Sequence, residues 1–307
     1  MKFDKLKHSY IVEDYSPTSI SDRLYRANDN GIRYFYKSII DSNGNGIQNF
    51  PFTKPDYKKL VLAEVVNSKI ASKFGISCPE YKIASTNESH GVVSQDVAQL
   101  HSYTDTLYNY LLQKRKYKQQ SSLEDLKQKS RDIKLQSIYN ELDKTVLFHC
   151  ATGQKDGHIA NILVHNDTGD RNDEITGLTL IDNCLTYPVV YGTSKSLEEM
   201  YDDVFNIYLQ TGIESAGGSA VNLQNLYYGI RNSKYISSDA IRNHLNIANN
   251  ILANNEFKQI ENEIVEEYCY SSGNEYRTKL SELICGQKTV MEKTTQGIDK
   301  YFSERIV

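Results

Sequence analysis

Asp156 and Asn161 stand five residues apart in the run Gly153-Gln154-Lys155-Asp156-Gly157-His158-Ile159-Ala160-Asn161-Ile162-Leu163-Val164. After a polar turn, a second apolar run, Leu178-Thr179-Leu180-Ile181, ends in Asp182-Asn183. A carboxylate, an amide and a further carboxylate at the ends of two short apolar strands form the oxygen set that phosphoryl transfer from a metal-bound nucleotide requires. Asp156 can orient or deprotonate a hydroxyl. Asn161 and Asp182 offer oxygens to a hard cation such as magnesium, which prefers oxygen ligands.

These residues need elements to hold them. The first part of the chain is rich in turns and strands, and four of the five prolines lie at or before Pro79. Segments 24–27 and 32–40 flank Asn28-Asp29-Asn30-Gly31, a strong hairpin signal. Strand alternation sets Ile32, Tyr34 and Tyr36 on one side and Arg33, Phe35 and Lys37 on the other. A helix is predicted over 57–74, with Asp56 as its N-cap and Gly75 as its stop. Ala63, Val66, Ile70 and Phe74 recur along it at helical spacing. Segments 80–84 and 91–97 read as two more strands. From Tyr103 onward helical patterns dominate, over 133–148, 196–210 (Ser196 and Glu199 forming a capping box) and 238–253. The order is a strand-rich lobe over 1–97, a crossover near 97, and a larger helical lobe over 98–307.

Bulk properties narrow the partners. The chain has 307 residues, a net charge of −4 and a pI near 6.0, so direct nucleic-acid binding is not expected. No apolar stretch approaches the roughly 20 residues of a membrane span, and residues 1–8 lack the apolar run of a signal peptide. Five cysteines without C-x-x-C pairing suit reduced thiols in a cytoplasmic setting better than a disulfide framework or zinc. The lysine-rich piece 114–118 reads as a solvated helix face.

The run Asp156-Gly157-His158-Ile159-Ala160-Asn161 resembles the D-x-H-x-x-N loop of the HipA-like kinases and of the phosphatidylinositol 3-/4-kinases. Residues 181–188 are similar to the I-D-N-G-x-x-x-P segment of type II phosphatidylinositol 4-kinases, with Cys184 in place of the glycine. A side chain there restricts the local backbone. The resemblance implies an α+β, bilobal protein-kinase-like fold: a small antiparallel-sheet lobe with one helix, and a larger, mainly helical lobe. It implies ATP and magnesium as cofactors, Asp156 as the catalytic residue, His158 as a brace for its loop, and Asn161 and Asp182 as metal ligands.

Within that resemblance Lys37 is similar to the strand lysine that holds nucleotide phosphates, and Glu64 on the next helix is its natural ion-pair partner. Lys54 and Lys58 are rival phosphate binders and Glu80 is a rival partner; an ordinary edge-strand lysine and a solvated glutamate remain open. No G-x-G-x-x-G is present. Ser19 and Ser21, in the turn before the first confident strand, could donate to phosphates or be autophosphorylated, and a plain surface turn explains them nearly as well. Backbone groups near Gln95 and Val97, where the lobes should join, could hold adenine. The resulting expectation is a HipA-like Ser/Thr protein kinase acting on a protein substrate, as a cytoplasmic toxin with an antitoxin partner or as an effector delivered into a host cell. The alternatives are a phosphatidylinositol 4-kinase-like lipid kinase, a nucleotide-binding pseudokinase module, and a kinase-like fold that transfers AMP.

Overall fold

The computed structural model describes residues 10–13, 15–17, 23–47, 56–113, 136–154, 159–183, 186, 189, 236–270 and 273–303. The first six strands are β1 (Tyr10–Ile11), β2 (Tyr15–Pro17), β3 (Leu24–Asp29), β4 (Ile32–Asp41), β5 (Lys82–Ser85) and β6 (Ser89–Gln95). They form one sheet in the order β1-β5-β6-β4-β3-β2. Every pairing is antiparallel except that of β1 with β5.

The hairpin of β3 and β4 forms where turn chemistry demands it. Asn30 and Gly31 both take positive φ, 49° and 85°, the backbone of a tight two-residue turn whose twist suits the flanking strands. The register sets Lys37 opposite Val92 and Phe35 opposite Ser94. Tyr36, Val93, Ala84, Ala27 and Val12 cluster on the opposite face of the sheet. A register shift follows at Ser38 to Ile40, where β6 passes so close that a side chain on Gly91 would meet the Lys37 carbonyl oxygen at 1.8 Å.

Helix α1 (Tyr57–Lys73) starts where Asp56 accepts hydrogen bonds from the Lys58 and Lys59 amides and stops at Phe74, before the left-handed Gly75. Leu60, Val61, Leu62, Ala63, Val65, Val66, Ile70 and Ala71 are all buried, so its core-facing stripe is unusually wide.

The strand expected through Val97 ends at Gln95, because Asp96 caps a short 3₁₀ turn over Val97–Gln99 by accepting from the Ala98 amide. A second departure follows. Segment Tyr103–Thr106 is strand β7, not helix, and lies in a three-stranded antiparallel sheet with β8 (Ile162–Asn166) and β9 (Gly177–Leu180). Its β-branched and aromatic residues favour extended backbone, and β8 supplies the edge.

Among the described residues the helices that follow are α2 (Leu107–Gln113), α3 (Tyr139–Thr152), α4 (Ser238–Ala253), α5 (Glu256–Tyr268) and α6 (Glu275–Ser303). Of the helix expected over 133–148, the described residues Gln136–Ile138 form a 3₁₀ turn and the chain is α-helical from Tyr139. The helix expected over 196–210 lies outside the described residues. One continuous core runs from Ile39 and Ile40 through α1 and the β8–β9 pair into α3, α4, α5 and α6. Helix α6 packs against α1, α3, α4 and α5.

Candidate active site

The β8–β9 hairpin sets the geometry. Ile162 pairs with Leu180, and the Ile181 amide donates to the Asn161 carbonyl at 3.0 Å. Asn161 and Asp182 therefore leave the same end of the hairpin, although 21 positions separate their numbers in the chain. At that end Lys37 arrives from β4. Its ammonium lies 3.0 Å from Glu64 Oε1 and 2.5 Å from Asp182 Oδ1. Lys37 thus bridges α1 and the segment after β9.

Glu64 is fully buried, and burial pushes its carboxyl up to about 7; the Lys37 ammonium and the Asn183 amide act in the opposite sense. Its second oxygen accepts from the Asn183 amide at 2.9 Å. One turn further along α1, Asn67 donates from Nδ2 to the Asn183 carbonyl at 2.6 Å. Residues i and i+3 share a helix face, so α1 grips both backbone groups of Asn183 at once.

Asp182 takes φ of 56°, the left-handed region, where a short carboxylate side chain is tolerated at a cost of about 1–3 kcal/mol. Two contacts hold it there. Its amide donates to the Tyr81 hydroxyl at 3.2 Å, and its carbonyl accepts from Gln154 Nε2 at 3.1 Å. Gln154 also forms a bridge with Thr186, so the chain at the end of α3 is fastened to the chain after Asp182. Burial, and next the Glu64 carboxylate, push the Tyr81 phenol and the Cys78 thiol upward. Cys78 is therefore a protonated thiol that accepts from Asn183 Nδ2 at 3.6 Å, not a nucleophile.

The structure brings Glu64 and Asp182 into contact with the Lys37 ammonium and sets Asn161 at the hairpin end from which Asp182 leaves. Asp156, His158, Ser19, Ser21, Lys54 and Cys184 lie outside the described residues. The rival Lys58 turns away to pair with Glu275 on α6, and Glu80 is exposed. Just after β6 the Asp96 amide donates to the Arg33 carbonyl at 3.0 Å. Alternation along an antiparallel ladder then directs the Gln95 backbone groups away from β4. The Gln95 side chain shares the face of Tyr34, and Val97 is buried in the 3₁₀ turn.

The donor set fits a magnesium–nucleotide pair. Asp182 and Asn161 offer oxygens only, a hard cation's preference, and magnesium commonly takes one or two protein ligands with phosphates and water completing its shell. Among the described residues no cluster of three His, Cys, Asp or Glu offers a rival metal centre. Asn67, Gln154, Tyr81 and Asn183 were not singled out from the sequence. Of these, only Asn67 carried a local signal, its three-residue spacing from Glu64.

No family model matches the sequence, and neither does any curated protein. Solved structures do match. The crystal structure of a Helicobacter pylori proinflammatory kinase, CtkA, is similar over 95% of this chain and 99% of its own, at 13% identity and a TM-score of 0.60. The HipA of a Shewanella oneidensis MR-1 toxin–antitoxin system, solved with HipB and operator DNA, aligns over 94% of this chain and 67% of its own, at 11% identity and a TM-score of 0.47. The likeness to the Helicobacter protein bears out the expected fold class, a mixed α+β kinase-like fold.

Proposed function

We propose that this chain is an ATP- and magnesium-dependent protein Ser/Thr kinase of the HipA-like type. The observation that carries the reading is the bridge made by Lys37, whose ammonium meets Glu64 on α1 and Asp182 beyond β9, 145 residues away. In a phosphotransferase that ammonium holds nucleotide phosphates, and the buried carboxylate keeps it extended toward them. Asp182 and Asn161 would hold magnesium, which would supply positive charge to offset that of the nucleotide phosphates. Asp156 would accept the proton of the acceptor hydroxyl, with His158 bracing its loop. Ser19 and Ser21 would line the phosphates, and backbone groups at Gln95 and Val97 would receive adenine. The division into lobes at 97/98 belongs to this reading. So do a cytoplasmic setting, an effector or toxin role, and a protein partner that restrains it.

The test is transfer of label from γ-labelled ATP, with magnesium, to a casein-type acceptor, to the chain itself and to phosphatidylinositol vesicles. Labelled protein is the expected result. Asp182→Ala, Lys37→Met and Asp156→Asn should each reduce it at least about a hundredfold while circular dichroism stays unchanged. Label in lipid alone would assign a lipid kinase, and label from α-labelled ATP would assign AMP transfer. No transfer with bound nucleotide would leave a pseudokinase.

A further inference from the structure

Helix α1 is tied to the C-terminal helices by a series of ion pairs along its length. Near its N-terminus the Lys59 ammonium, almost completely buried, lies 2.8 Å from Glu282 of α6, and Lys58 pairs with Glu275 of the same helix. Between those two glutamates, Lys279 reaches back to Asp56, the cap of α1, at 2.9 Å. Lys58 also sits 5.6 Å from the centre of the Tyr276 ring. Toward the C-terminus of α1, Lys69 lies 2.8 Å from Glu263 and Lys73 lies 2.7 Å from Glu256, both on α5. Lys69 bonds through Nζ, whereas the Lys73 pair is a charge contact. The lysine pairings run in opposite order along α1 and α5, so the two helices lie antiparallel. Lys59 and Lys279 hold the Glu282 carboxyl below the ordinary carboxylate range.

Isolated surface pairs contribute little. These form a continuous set, with charges of opposite sign matched at both ends of one helix, and one member is taken out of water. The helix they hold is the one that carries Glu64 and Asn67. A shift of α1 along its axis or away from α5 and α6 would break these pairs, the Lys37–Glu64 pair and the grip on Asn183 together.

Resting on the kinase reading, we infer that Lys59, Lys69 and Lys73, with Glu282, Glu263 and Glu256, are positioning residues: α5 and α6 act as an electrostatic splint that keeps the Lys37–Glu64–Asp182 site assembled without an activating partner. The splint joins α1 to the helical half of the molecule directly, so the site's assembly responds to ionic strength.

Charge reversal of the Lys69–Glu263 pair tests this, because both groups sit in mid-helix and are partly exposed. Amide hydrogen exchange of 60–70 is followed in the nucleotide-free full chain, beside kcat for phosphotransfer. Lys69→Glu is expected to speed exchange of α1 about threefold to tenfold relative to α3, and to lower kcat by a similar factor. Lys69→Glu combined with Glu263→Lys is expected to restore both. Sodium chloride at 0.5 M should speed α1 exchange more in the wild type than in Lys59→Met/Lys69→Met/Lys73→Met, which of these pairs keeps only Lys58–Glu275 and Lys279–Asp56. Unchanged exchange in Lys69→Glu, or no recovery in the double variant, overturns the splint. Absence of phosphotransfer in the wild type, with the exchange pattern as expected, overturns the kinase reading and leaves the splint standing.

Discussion

At the scale of single residues, Glu64 carries a pH signature that bears on the site. Burial holds its carboxyl at about 7, well above its ordinary value. Between the ordinary carboxylate range and about 7 the folded chain keeps a proton that the unfolded chain has lost, so stability declines as pH rises through that window. Urea titrations at pH 5, 6 and 7.5 should show the decline, and Glu64→Gln should remove it. Activity should run the other way. The ionised carboxylate is the form that pairs with Lys37, so kcat/KM should climb through about pH 7 in the wild type and stay low and flat in Glu64→Gln. A wild-type rate indifferent to pH between 6 and 8 would argue against the pair as a working part of the site.

The supports around Asp182 also belong to this scale. Tyr81, Gln154, Asn67 and Glu64 all act on Asp182 or Asn183 through main-chain groups. They place a left-handed aspartate that its own sequence neighbourhood does not announce. The sequence draws attention to Cys184, which lies outside the described residues, as the place where backbone freedom matters; two positions earlier Asp182 is left-handed.

At the scale of elements, the approach of β6 to β4 governs where Lys37 points. Gly91 lies against the Lys37 carbonyl, and a methyl group there would overlap backbone, which cannot move aside as the end of a flexible side chain can. Gly91→Ala should therefore destabilise the fold by about 1–3 kcal/mol, measured in denaturant titrations. It should also depress phosphotransfer more than that loss explains, because Lys37 moves with its strand. Stability and activity both unchanged would mean that β6 can withdraw without disturbing the lysine. The hairpin of β8 and β9 does similar work for Asn161 and Asp182: its register decides that both leave one end. That pairing was legible in outline, since two apolar runs separated by a polar turn are a hairpin pattern. Strand β7 was not, because Tyr103–Thr106 precedes a helix directly and its extended form depends on the edge that β8 provides.

For the whole molecule, the continuous core couples the sheet-and-α1 part to the helical part, so ligand binding at the site between them should stabilise the entire fold. A non-hydrolysable ATP analogue with magnesium, at a hundredfold excess over its dissociation constant, should add about 2.7 kcal/mol, seen as a rise of several degrees in melting temperature. Lys37→Met should lose most of that rise. A wild-type protein whose melting is indifferent to the nucleotide would remove the basis for reading the site as nucleotide-binding. Among the described residues no helix is long and apolar enough to cross a membrane.

The sequence by itself determined the elements whose causes are local. The turn at Asn30-Gly31, the helix between Asp56 and Gly75, the alternation that sets Lys37 apart from Tyr36, and the two apolar runs ending near Asn161 and Asp182 all follow from backbone preference, capping chemistry and periodicity within a few residues. Only the tertiary structure decided which glutamate meets Lys37, how Asp182 is turned, and that α1 is braced by α5 and α6. Those outcomes join residues tens to hundreds of positions apart, and they depend on strand register and helix packing. Many lysines and glutamates of equal charge compete along a chain, and nothing in their immediate neighbours chooses among them.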